Sequence, residues 1–230
     1  TTDVVAEAHQ IINKCFESFA PEEIGISFNG GKDSVVMLYL VKDVIGVEKL
    51  RRMKLFMFAE ADEFEDMVAF RAGLLDSLGL ELRMMPQQLG IKGGLQQLYD
   101  EEGLRAAFLG TRADDPDGKY QETAIKKCTA GWPDITRFCP VFGWCYKQVW
   151  SYILGDRLPY CVLYRDGYTS LGSKLTTQRN AHLTAGGSTG GDQAAAAPKS
   201  HVDSEQMFRP AWELGEGKWE REGRNRAASH

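Results

Sequence analysis

The run Ser27-Phe-Asn-Gly-Gly-Lys-Asp-Ser34 constrains this 230-residue chain more than any other stretch. It joins a short β-rich segment, Ile24 to Phe28, to a segment from about Asp33 to Val44 in which Val35, Val36, Leu38, Leu40 and Val41 are available for burial along a helix. A strand that turns through two glycines straight into a helix turns successive backbone N–H groups, and the helix N-terminus, toward one point. That point favours an anion. Glycines at 30 and 31 admit phosphate oxygens close to the backbone with no Cβ in the way, Lys32 adds a point charge, and Ser34 offers a hydroxyl. The spacing is not that of a Walker loop, because Gly25 comes too early in the strand and Asp33 stands between Lys32 and Ser34.

The rest of the chain repeats the strand and helix alternation. Val4, Val5, Ala8, Ile11, Ile12, Cys15, Phe16 and Phe19 recur at helical spacing, and Pro21 ends that run. Lys54 to Ala59, Leu80 to Met84 and Ala106 to Leu109 read as further strands, with helices over Glu63 to Leu78 and Leu95 to Glu102. Alternation of this kind implies right-handed crossovers and an α/β fold: a mainly parallel sheet with helices on both faces, Rossmann-like in plan. After Gly110 the pattern loosens into expected substrate loops, then a helix carrying Trp150, Ile153 and Leu154. Residues 184–206 include the Gly- and Ala-rich run TAGGSTGGDQAAAAP, too poor in large apolar groups to pack, and read as a flexible insertion. The expected organisation is therefore one core over 1–183, the insertion, and a tail over 207–230 that regains Trp212, Leu214 and Trp219 and docks back on the active site.

Composition excludes several classes. A net charge of -5 argues against a nucleic-acid surface, since neutralising a row of phosphates needs a basic face. No apolar run approaches the roughly 18 to 20 residues that span a bilayer, so no membrane partner is expected. The chain reads as cytoplasmic, or mitochondrial if a leader precedes Thr1, and as a monomer or weak dimer. Its five cysteines form no C-x-x-C pair, and His9, His182, His201 and His230 are scattered, so neither a zinc site nor a histidine base is indicated.

The string S-x-x-G-G-K-D-S resembles the PP-loop of ATP pyrophosphatases, the superfamily of the phosphoadenylylsulfate reductases, which cleave ATP between the α- and β-phosphates. Within it, Phe28-Asn-Gly-Gly-Lys-Asp33 resembles the eukaryotic-type FAD synthetases. Further matches follow in order: Leu109-Gly-Thr-Arg-Ala-Asp-Asp-Pro116, Gly131-Trp-Pro-Asp134 with Arg137 and Pro140, Tyr164 to Gly172 (YRDGYTSLG), Arg209-Pro-Ala-Trp-Glu-Leu214, and Glu220-Arg-Glu-Gly-Arg224. Lys127 to Ala130 departs from the family, which often has an acidic residue there near the flavin.

The resemblance implies FMN adenylyltransferase activity: ATP and FMN, with Mg2+, give FAD and pyrophosphate. It implies an ATP site made by Ser27, Phe28, Asn29, Gly30, Gly31, Lys32, Asp33, Ser34, Phe58 and Arg112, and an FMN site made by Asp115, Trp132, Asp134, Tyr168, Thr169, Ser170 and Arg221. Catalysis would rest on Asn29, Lys32, Asp33, Asp115, Arg221 and Arg224. Several residues keep two readings. Asp33 is either a helix N-cap or a help to magnesium, Phe58 an adenine contact or a core residue, Trp132 a flavin stack or a loop anchor, and Tyr168 to Ser170 a flavin contact or a turn. Arg221 and Arg224, three apart, would share a face if the tail were helical. The competing functions are a phosphoadenylylsulfate reductase, which needs a redox cysteine near the tail where this chain has none after Cys161, and a non-catalytic ATP-binding regulator.

Overall fold

The computed structural model describes residues 2–116, 118–184 and 207–224. They form two compact units, divided between Cys161 and Val162.

The first unit is built on a six-stranded sheet: β1 Ile24–Ser27, β2 Lys54–Phe58, β3 Leu82–Met85, β4 Ala106–Phe108, β5 Ile125–Lys127 and β6 Thr136–Phe138. Their order is β3-β2-β1-β4-β6-β5, and only the β5–β6 pairing is antiparallel. Seven helices accompany them: α1 Thr2–Ser18, α2 Lys32–Ile45, α3 Val47–Leu50, α4 Glu65–Leu78, α5 Gly90–Glu102, α6 Gly118–Gln121 and α7 Tyr146–Gly155. None of these is long and apolar enough to cross a membrane.

Alternation along the strands divides the core in two. On one face Phe16 of α1 meets Phe108 with ring centres 6.0 Å apart, and Phe19 meets Phe138 edge-on at 6.2 Å. The neighbouring Ala107 belongs to the opposite face, with Phe56, Met85, Leu104, Ile135 and Leu98 of α5. Helices thus cover both faces, as the alternating pattern predicts. The structure adds two strands that the pattern does not announce, β5 and β6, in the region expected to be loop. It also starts α5 five residues earlier than Leu95, through Gly90, Gly93 and Gly94. Gly94 explains its place there, since a Cβ on it would stand 2.6 Å from Cε1 of Phe58.

The strand order sets the position of the site. From β1 the chain moves outward to β2 and β3, then returns to lay β4 on the other side of β1. At such a reversal the loops leaving the carboxyl ends of the two central strands part, and a crevice opens between them. The glycine-rich turn follows β1 and the Gly110 to Pro116 segment follows β4.

The second unit has little regular structure. Short 3-10 turns at Val162–Arg165, Lys174–Thr176, Ala181–Leu183, Ala211–Glu213 and Gly217–Trp219 are joined by isolated bridges, Thr177 to Arg224 and Thr184 to Phe208. Ala211 and Leu214 are buried in it. Nearly all of the Gly- and Ala-rich segment, 185–206, lies outside the described residues.

Candidate active site

The turn after β1 is locked by its own polar groups. Asn29 Oδ1 accepts from the Gly31 N–H at 2.9 Å, and Ser34 Oγ lies 2.9 Å from that same oxygen and 2.8 Å from the Gly31 carbonyl. Ser34 therefore spends its one proton on the loop, and the hydroxyl expected for ATP serves the turn's shape. The Asn29 side-chain oxygen is occupied likewise, which leaves the NH2 end of the amide as the part suited to a phosphate oxygen. Phe28, expected among the ATP contacts, is fully buried, and its N–H donates to Phe56 O at 3.0 Å. Its side chain belongs to the core.

Gly31, not Asp33, is the N-cap of α2, so Asp33 falls in the first helical turn and cannot cap it. Its carboxylate instead joins a chain of charges. Lys32 Nζ lies 2.9 Å from Asp33 Oδ2, and Arg112 Nε lies 3.0 Å from Asp33 Oδ1 in an ion pair poorly aligned for a hydrogen bond. Arg112 continues to Asp115, with Nη2 3.4 Å from Oδ1 and its backbone N–H donating to Oδ2 at 2.8 Å. Burial pushes the Asp33 carboxyl up, but the charges of Lys32 and Arg112 outweigh it and hold the group below the usual carboxylate range. Lys32 itself is 3% exposed and lies 5.4 Å from the ring centre of Tyr146.

Two buried cations and two partly buried carboxylates in one row fix each other's positions, with Lys32 at the start of α2, just after the glycine-rich turn, and Arg112 on the loop after β4. The loops touch through Gly110, where a Cβ would stand 3.0 Å from the Ser34 nitrogen and 3.1 Å from the Asp33 carbonyl carbon. Gly110→Ala is expected to wedge them apart, at a cost of about 1–3 kcal/mol by overpacking. Calorimetric titration with a non-hydrolysable ATP analogue is expected to give roughly tenfold weaker binding.

Magnesium does not fit Asp33 as a protein-held ion. Both carboxylate oxygens already face cations, and among the described residues no group of three His, Cys, Asp or Glu could hold a metal. Mg2+ fits better as part of the ATP substrate, since this ion commonly keeps its waters and rides on phosphates.

The other expected residues divide between two places. Phe58, at the end of β2, is half-buried against the core and Gly94, edge-on to Phe56 at 6.0 Å. Trp132, 41% exposed, and Asp134 stand on the turn between β5 and β6, where Gly131 takes a φ of 85°. Asp134 pairs across that turn with Lys127 at 3.2 Å.

In the second unit, the Thr169 hydroxyl donates to Glu220 O at 2.6 Å and accepts from Asn180 Nδ2 at 2.9 Å, while Nδ2 also donates to Trp219 O at 2.7 Å. Thr169 is 1% exposed, so its hydroxyl works on the tail. Ser170 is nearly buried, and Tyr168 lies under the Arg179 guanidinium at 5.5 Å. The tail is not helical at its arginines. Residues 221–223 form a turn closed by the Arg224 N–H on Arg221 O at 2.9 Å, Gln178 N donates to Gly223 O at 2.7 Å and Arg224 bridges to Thr177, so a turn running into a bridge stands in place of the helix expected for Arg221 and Arg224. Gly172 makes room for Arg224, because a Cβ there would collide with the guanidinium. Asn180, fully buried, is the tail's organiser that the sequence does not single out.

A glycine-rich loop and an Arg–Asp loop at the switch point of a parallel sheet define the PP-loop class of α/β proteins. The chain matches the phosphoadenosine phosphosulfate reductase domain over residues 23–179, and it belongs to that family. Among curated proteins it is similar to a probable FAD synthase of Caenorhabditis briggsae, 33% identical over 204 residues that make up 87% of this chain and 38% of the nematode protein. The chain thus spans about two-fifths of the length of that relative. A probable FAD synthase of Schizosaccharomyces pombe is 29% identical over 94% of this chain and 77% of its own length. Among solved structures, Candida glabrata FMN adenylyltransferase has a TM-score of 0.83 and 26% identity, covering 98% of this chain and 87% of its own. Its complex with FAD and inorganic pyrophosphate gives 0.80 and 26%, over 96% of this chain and 88% of its own.

Proposed function

We propose that this chain is an FAD synthetase, transferring the AMP part of ATP to FMN. The observation that carries the reading is the reach of the likeness. The family domain stops at residue 179, whereas the fungal FMN adenylyltransferase covers 98% of the chain, enough to require the arginine-bearing tail.

The chemistry asks little covalent work of the protein. An already ionised phosphate oxygen of FMN attacks the α-phosphorus of ATP, the bond to the α,β-bridging oxygen breaks, and pyrophosphate leaves with the electron pair. No side chain need act as nucleophile or take a proton from this phosphate. Lys32, held by Asp33, and the loop N–H groups receive the pyrophosphate end, while the row through Arg112 and Asp115 keeps the two loops in register. Arg221 and Arg224 meet the charge that grows in the transition state. Trp132, on its exposed turn, offers a ring face to the isoalloxazine, with Asp134 beside it at the flavin edge. In the same reading the 207–224 tail serves the active site, and the enzyme is cytoplasmic and acts as a monomer or weak dimer.

The test is chromatographic: protein, ATP, magnesium and FMN, with an FMN-free control. A new FAD peak with matching pyrophosphate supports the reading. AMP and pyrophosphate formed without FAD would keep the loop assignment and remove FMN as the acceptor.

A further inference from the structure

Arg71 lies on α4, outside every motif that marks the site, and is 5% exposed. Its guanidinium makes three bonds in one plane. Nη1 donates to Glu63 Oε1 at 2.7 Å and to the Asn29 carbonyl at 3.0 Å, and Nη2 donates to Glu63 Oε2 at 2.9 Å. A buried arginine balanced by one carboxylate is often only a packing device. The third bond makes this one different, because it is made to the phosphate-binding turn itself.

The consequence follows from peptide geometry. The Asn29–Gly30 peptide is trans and planar, so its C=O and N–H point in opposite directions. Holding the carbonyl against Arg71 turns the Gly30 N–H away from α4. Gly30 itself has a φ of 84°, and a Cβ there would stand 3.0 Å from Met67 Sδ and 3.3 Å from Arg71 Cβ. The turn is therefore pressed on one side by α4 and fastened to it by a single carbonyl. Without that bond the peptide can rotate, and its carbonyl oxygen can then face an incoming phosphate, where it would repel the anion.

We infer that Arg71, with Glu63 holding its other edge, is the positioning residue that sets the phosphate-binding loop by anchoring the Asn29 carbonyl. Glu63 sits in the segment between β2 and α4, so the same pair ties that segment, which follows Phe58, to the turn. Lysine cannot replace it, since a single ammonium lacks the flat fork that reaches a carboxylate and a carbonyl together. The inference rests on the turn being an ATP site, but not on FMN being the acceptor.

The experiment is titration with α,β-methylene-ATP alone, with magnesium and no flavin, followed by thermal melts. Arg71→Lys is expected to stay folded and to bind the analogue roughly tenfold to a hundredfold more weakly, the effect of losing one charge-assisted bond. Arg71→Met alone leaves Glu63 buried without its partner, so the double variant Glu63→Leu, Arg71→Met is made beside it. Removing both charges is expected to restore the melting temperature while affinity for the analogue stays low. In turnover, KM for ATP is expected to rise with KM for FMN unchanged. Wild-type affinity in either folded variant would overturn the inference and leave the pair as a buttress. Failure of the wild-type protein to bind the analogue would instead overturn the ATP-site reading on which the inference rests.

Discussion

Arg224→Ala is expected to lower kcat for FAD formation roughly a hundredfold to a thousandfold, the usual cost of removing one group aimed at transition-state charge. Affinity for an ATP analogue is expected to hold within about threefold, because an interaction made only in the transition state does not enter ground-state binding. The structure supplies an independent handle. Gly172 lies directly under the guanidinium, and a methyl group there occupies the same space. Gly172→Ala is thus expected to lower kcat in the same direction, and the two changes combined are expected to cost scarcely more than Arg224→Ala alone. Full additivity in single-turnover rates would show that the two positions act separately.

The second large effect is expected at Lys32. Lys32→Ala removes the charge meant for the departing pyrophosphate and also strips Asp33 of one of its two cations. Turnover is expected to fall by about 10³ or more, and here, unlike at Arg224, analogue binding is expected to weaken with it. Stability follows through Asp33. In the unfolded chain this carboxyl titrates near its ordinary value of about 3.9; in the fold, the charges of Lys32 and Arg112 hold it lower despite burial. Its contribution is therefore fully present above that ordinary value and is lost as pH falls through the depressed folded one. With Lys32 gone, burial acts against one cation instead of two and the depression shrinks. Melting curves from pH 7 down to pH 3 are expected to show a smaller acid-dependent loss in Lys32→Ala than in the wild type. An equal loss would mean that the ion pair adds nothing to the fold.

The strands and helices that frame the site are legible in the sequence because each carries a period and a boundary. Ile24 to Phe28 stops at two glycines, and α2 shows its apolar face within three turns. β5 and β6 are hidden for a physical reason. Three residues cannot display an alternation, and Ile125-Lys-Lys127 is half solvent-facing. The amino end of α5 is hidden too, since three glycines argue against a helix and only the contact between Gly94 and Phe58 explains the last of them.

Within the site, the motif marks the turn but not the duties inside it. Phe28 reads as an ATP contact and its side chain is core, while Ser34 Oγ and the Asn29 side-chain oxygen brace the turn, a duty that the motif does not announce. A helix would give Arg221 and Arg224 a shared face, yet the chain there makes a single turn that ends in the pairing of Gln178 with Gly223. Arg71 and Asn180 could not be found from spacing at all. One is a cation in an amphipathic helix and the other an amide in a polar stretch, and their work is defined by backbone carbonyls 42 and 39 residues away in the chain.

The central claim is that the α-phosphorus of ATP ends in FAD. Its most direct test uses ATP labelled at the α-phosphate, incubated with magnesium and FMN, with the products separated and counted. Label is expected in FAD, with one pyrophosphate released for each FAD formed and no transfer without FMN. Label appearing only in AMP, at the same rate with and without FMN, would contradict it.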